Sequence, residues 1–112
     1  MSRTAHTFVD DADVSRIAKR LESFAGTMER RDDGAYCSVG GDVIVCRNRA
    51  LGEEFERFAT VVHVDRGESE SERRENGMRV FDALKSFDDA ALLANFDFEE
   101  TLATFAPKHS AA

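Results

Sequence analysis

The chain contains no tryptophan, one proline and two cysteines among its 112 residues, and each scarcity excludes something. Cys37 and Cys46 make no disulfide framework and fit a reducing compartment. The single proline, Pro107, lies beyond the last periodic segment, so the interior is free of helix and ladder breakers. No apolar run approaches the roughly 20 residues of a membrane span. The opening Met1-Ser2-Arg3-Thr4-Ala5-His6 lacks the hydrophobic stretch of a signal peptide. Together these absences lead to the expectation of a cytoplasmic protein. Lysine is also scarce, with Lys19, Lys85 and Lys108 set against twelve arginines. A GC-rich genome produces that bias without selection on function, and a high-salt cytoplasm is the second explanation.

Apolar residues make up 42% and charged residues 33%, the balance of a folded chain. Its length suits one domain, because two halves would each be too small to bury a stable core. That domain is expected over residues 1–106, followed by a mobile tail at 107–112. Nine phenylalanines suggest a core anchored by aromatic rings on several elements.

Periodicity assigns the elements. Thr7–Val9 reads as a short strand. Asp10-Asp11-Ala12-Asp13 then offers caps and first-turn carboxylates to a helix carrying Val14, Ile17, Ala18, Leu21 and Phe24, with Gly26 as its stop. Ala35–Val39 and Asp42–Cys46 flank Gly40-Gly41, a hairpin signal that sets Cys37 opposite Ile44. One hairpin face would hold Ala35, Cys37, Val39, Ile44 and Cys46, and the outer one Tyr36, Ser38, Val43, Val45 and Arg47. A preceding strand over Thr27–Arg31 completes a meander. The stretch 48–57, with Leu51 and Phe55, reads as a loop or short helix, and Phe58–Val64 as a strand. Ser69-x-x-Glu72 is a capping box opening a helix over about residues 70–87, with Gly77, Met78, Phe81, Leu84 and Phe87 as its buried stripe. Ala90–Phe96 reads as a last strand, and Asp97-x-x-Glu100 as a second capping box before a short helix bearing Phe98, Leu102, Phe105 and Ala106. The expected fold is α+β: an antiparallel sheet of four to five strands with two to three helices packed on one face.

No catalytic or metal constellation emerges, and no cofactor is expected. Cys37 and Cys46 fall on diagonal positions, too far apart for a relaxed disulfide, and read as buried core thiols. His6, His63 and His109 have no ligand spacing, and His63 should point away from Val62 and Val64. Asp11, Asp13, Ser15 and Glu22 match four positions of a calcium loop, but Arg16 occupies the glycine position and the segment is patterned as a helix. Glycines and scattered basic pairs make neither a phosphate loop nor a nucleic-acid stripe.

Charge is the main functional clue. Asp and Glu number 22 against 15 Lys and Arg, a formal net charge of −7, and residues 67–112 carry −5 of it. Such a field disfavours nucleic acid and anionic membrane and favours solubility or a basic protein partner. Glu68, Glu72, Glu75 and Asp82 fall near one helix face, and Asp88 and Asp89 extend it. These six residues are the candidate partner-binding site. In general type, though on no motif, a small acidic α+β chain of this kind resembles bacterial immunity proteins, antitoxins and phage-encoded inhibitors. The expected function is therefore non-enzymatic binding of a protein, with inhibition of a basic nucleic-acid-handling partner as its most specific form. A homodimeric regulatory or ligand-binding domain using the outer face of Tyr36, Val43 and Val45 is the alternative. An enzyme pairing Cys37 or Cys46 with His63 is the third.

Overall fold

Asp13 accepts the Arg16 N–H at 3.0 Å and opens α1 (Val14–Arg20), and Ser69 does the same for Glu72 at 3.1 Å at the start of α3 (Glu70–Lys85). These caps satisfy helix N–H groups that have no partner within the helix. Glu72 completes its box one residue early, accepting from the Glu68 N–H at 3.3 Å. The first helix breaks at Leu21, and four residues, Glu22–Ala25, continue as α2 before Gly26, at φ 79°, ends it. The computed structural model describes residues 4–49, 52 and 54–108. Leu51, His109 and the expected mobile tail from residue 109 onward lie outside the described residues.

Seven strands form one antiparallel sheet: β1 (Ala5–Val9), β2 (Met28–Arg30), β3 (Tyr36–Ser38), β4 (Val43–Arg47), β5 (Thr60–Val64), β6 (Leu92–Phe96) and β7 (Glu100–Phe105), in the order β2-β3-β4-β5-β1-β6-β7. The α+β class is as expected, but the sheet exceeds the four to five strands anticipated. The added edge is β7, which replaces the helix anticipated after Asp97. Asp97 and Phe98 take positive φ (56° and 61°) inside a turn closed by the Glu99 N–H on the Phe96 carbonyl at 3.1 Å. That is hairpin-turn chemistry. It returns Glu100 opposite Phe96 on β6, whose backbone groups would otherwise lie unpaired at the sheet edge.

β1 is an inner strand, fifth of the seven in spatial order. β5 and β6 flank β1, each antiparallel to it, and α3 makes the crossover between them. α1 starts the other long connection, from β1 out to β2. Both connections pass over the same face. There Ile17, Ala18 and Leu21 of α1 and Val80, Phe81 and Leu84 of α3 cover Val9, Val43, Val45, Val62, Val64, Leu92 and Phe96. Among the described residues, no helix is long and apolar enough to cross a membrane.

Two expectations about faces are corrected here. Val43 and Val45 are fully buried beneath the helices, so the face proposed for dimerisation is the interior. Cys37 and Cys46 are only half-buried, on the helix-free side. Hairpin alternation fixes which residues share a face but not which face the helices choose. Phe87 also leaves the expected stripe: it is 44% exposed and carries the Arg20 guanidinium 4.1 Å from its ring centroid.

Close approach of α3 to β1 depends on Gly77. A Cβ there would stand 2.5 Å from the Ala5 Cβ, a clash that neither side chain can relieve by rotation. Gly77→Ala should therefore lower stability in urea unfolding by a net ~1–2 kcal/mol, despite the helix-propensity gain of alanine. Adding Ala5→Gly should restore much of the loss; a Gly77→Ala protein more stable than the parent would contradict this packing.

Candidate functional site

In a two-layer α+β fold the sheet face away from the helices is ordinarily solvated and polar. Here it carries a second apolar cluster. Phe8 of β1, Val61 of β5 and Leu93 of β6 are buried with Phe55 and Phe58 from the β4–β5 connection. Asn48 folds that connection back, its Nδ2 donating to the Phe55 and Phe58 carbonyls, each at 2.8 Å. Phe55 then stacks on Phe8 with centroids 4.6 Å apart.

Beside the cluster, a polar row crosses the sheet at one register: Asn95 on β6, His6 on β1 and His63 on β5 are direct cross-strand partners. The two histidine Nδ1 atoms lie 2.8 Å apart, with the rings perpendicular. That separation is a hydrogen bond, so one ring holds its proton on Nδ1 and donates while the other accepts through a bare Nδ1 and is protonated on Nε2. Two nitrogens on one tetrahedral zinc would stand farther apart, about 3.3 Å for bonds of ~2.0 Å. Among the described residues, no group of three or more His, Cys, Asp or Glu side chains is placed to hold a metal ion.

Phe98 covers the His6 member of the row. Its ring stacks on His6 with centroids 4.0 Å apart, although its outer surface leaves it 47% exposed. The positive φ that places it there is unfavourable for a bulky residue by ~1–2 kcal/mol. Under this cover His6 is 4% exposed and Asn95 1%, and the Asn95 Oδ1 has no hydrogen-bond partner among the described residues. Burial and the neighbouring His63 push the His6 pKa down to about 4, against the opposing pull of Asp97. Burial lowers His63 as well. Both rings are neutral at pH 7.

From His63 and Phe98 an open groove of about 760 Å³ runs over Phe8, Val61 and Cys46 to a rim made by Arg47, Asn48 and Arg49. Asp33, Gly34 and Ala35 form its side, with Ala12 and Val14 at the end of the sheet. Burial, reinforced by Asp33 and opposed by Arg49, pushes the Cys46 thiol up, away from the nucleophilic thiolate.

The candidate acidic residues are dispersed by comparison. Asp89 is held by Arg20 through two contacts, at 2.6 and 3.0 Å, and Asp88 accepts the Lys108 N–H at 3.0 Å. Glu72 serves the cap described above. Glu75 faces Arg79 at 3.5 Å, both well exposed, a pair that contributes little. Glu68 and Asp82 are exposed, and their carboxylates have no partner among the described residues. Arg74 on the same helix pairs with Glu100, which further dilutes the field.

Sequence reading missed the histidine pair because it began the first strand at Thr7, one residue too late to bring His6 into register. A lone asparagine within Leu92–Phe96 was the visible signal for the second polar member. The Phe98 cover had no such signal, since a bulky residue is not expected at a left-handed turn position.

The pair has a measurable consequence. In the unfolded chain His6 titrates near 6.5, and in the fold only near 4. Between those values the unfolded chain binds the extra proton, so stability is complete above about pH 6.5, falls as pH drops through the window and levels off below about 4. Urea unfolding at about pH 7 and about pH 4 should differ by up to ~3 kcal/mol from His6, and His6→Phe should flatten most of that slope. Asp13, Asp42 and Asp89 are held low by the Arg16 N–H, Arg66 and Arg20 respectively, so their contributions disappear only in more acidic solution. A stability unchanged across the histidine window would show that the rings are not buried as a neutral pair.

Compared with protein-family models, curated proteins and solved structures, the chain matches none.

Proposed function

We propose that the protein is a non-enzymatic binding module whose recognition surface is the helix-free face of the sheet. The observation that carries this reading is the open groove of about 760 Å³ on a face that is aromatic where a solvated sheet would be polar. Its volume is in the range of small-molecule sites, and its apolar floor with a few polar groups at the margins matches their usual make-up. The state of the reactive groups supports binding over catalysis. His6 and His63 are weakened bases and Cys46 is a protonated thiol, so none is poised for acid–base or nucleophilic work near neutral pH.

A second reading keeps the acidic surface. Glu68 and Asp82 lack cation partners among the described residues and Glu75 has only an exposed one. These carboxylates are available to a basic protein, and an inhibitor or immunity role toward a nucleic-acid-handling partner would use them. Glu72, Asp88 and Asp89 contribute less, being engaged within the chain.

The two readings separate by variant. Cys46→Trp fills the groove, and the triple variant Glu68→Lys, Glu75→Lys, Asp82→Lys reverses the acidic face. The small-molecule fraction of host extract should raise the melting temperature of the parent and the triple variant by several degrees and leave Cys46→Trp unmoved. A shift that survives Cys46→Trp would remove the groove from the function. Binding of a basic protein that is lost only in the triple variant would favour the second reading.

A further inference from the structure

Resting on the groove reading, we infer that its ligand is an amphipathic organic anion: a flat apolar body with one carboxylate, sulfonate or phosphate at one end. Three observations converge on that chemistry. The first is how the arginines are used. Arg16, Arg20, Arg66, Arg73, Arg74 and Arg79 each pair with a carboxylate of the chain. Arg30, Arg31, Arg47, Arg49 and Arg57 have no such partner among the described residues, and of these Arg47 and Arg49 line the groove, both exposed. In a chain of net charge −7, two arginines lining the groove without a carboxylate partner among the described residues favour an anion there.

The second observation is the floor. Phe8 and Val61 are apolar, and the protonated Cys46 thiol behaves as a small apolar group, so the middle of the groove offers no partner to a charged or strongly hydrated ligand body. Asn48 does not change this, because its Nδ2 already donates to two carbonyls. The third is the far end. There the edge of Phe98 and the ring of His63 close the groove with an aromatic wall that carries no formal charge at pH 7. Phe98 is kept at a left-handed backbone position, a strain that persists where surrounding structure requires the side chain in that place. Charge at one end and aromatic contact at the other define the ligand's polarity. Asp33, the one acidic residue among the described residues of the lining, disfavours a second negative group along the body.

Two dyes of nearly the same shape test the inference. Anilinonaphthalene sulfonate carries an aromatic body and one sulfonate, whereas N-phenylnaphthylamine has the body alone. Fluorescence titration of the folded protein should give one sulfonate-dye site per chain, with the neutral dye binding at least ~10-fold more weakly, the factor a charge-assisted hydrogen bond supplies. Replacing both rim arginines (Arg47→Gln, Arg49→Gln) should weaken the sulfonate dye by about that factor and leave the neutral dye unchanged. Cys46→Trp should abolish both, with the unfolding transition of each variant confirming that it is folded. Equal binding of the two dyes, or a sulfonate affinity indifferent to the arginines, would overturn the anion while leaving the groove as a site. Failure of both dyes to bind, or binding that survives Cys46→Trp, would overturn the groove itself and this inference with it.

Discussion

Everything in the structure depends on β1 being buried on both faces. It is the first strand of the chain and the fifth in spatial order, hydrogen-bonded to β5 on one side and β6 on the other. Its odd-numbered residues, Ala5, Thr7 and Val9, lie under the helices, and its even-numbered ones, His6 and Phe8, face the other way. A strand in that position needs cover twice. The helix side obtains it from α3, brought close enough by Gly77 against Ala5. Both crossovers use that side, so the second face must be covered by something other than a helix.

The chain meets the requirement with aromatic rings from two connections. Asn48 turns the β4–β5 segment so that Phe55 and Phe58 reach Phe8, and the strained β6–β7 turn lays Phe98 on His6. Desolvation then acts on the polar residues left beneath. The histidines stay neutral, one donating to the other through Nδ1, and the Asn95 Oδ1 has no hydrogen-bond partner among the described residues. The cover does not extend across β4, where Cys46 is half-buried and the groove opens. The proposed binding surface is the part of the second face that the connections do not close, and Arg47 and Arg49 line it without a carboxylate partner among the described residues.

What could be read from the residues were the local features. Capping at Asp13 and Ser69, the alternation around Gly40-Gly41 and the pairing of Cys37 with Ile44 were legible because each is decided within a few residues. Two kinds of feature were not. The side of the sheet taken by the helices depends on the path of both crossovers, and the hairpin alone is equally consistent with either face. The last element depends on an edge: Phe98, Leu102 and Phe105 are spaced for a helix, yet the open side of β6 captured the segment as a strand. The candidate site suffered from both. His6, His63 and Asn95 meet only once β1 is placed between β5 and β6, a long-range fact without a local signature. The acidic residues were legible as charge, but their capture by Arg20, by the Lys108 N–H and by the helix cap was not.

The most direct test of the helix-free face as the recognition surface is where a bound ligand perturbs the backbone. In nitrogen-labelled protein titrated with anilinonaphthalene sulfonate, the amide shifts should concentrate at Phe8, Cys46, Arg49, Val61, His63 and Phe98, the residues around the groove. The outward face of α3 should be left unmoved. Shifts confined to Glu72, Glu75, Asp82 and their neighbours, with the groove silent, would place recognition on the helix side and contradict the assignment.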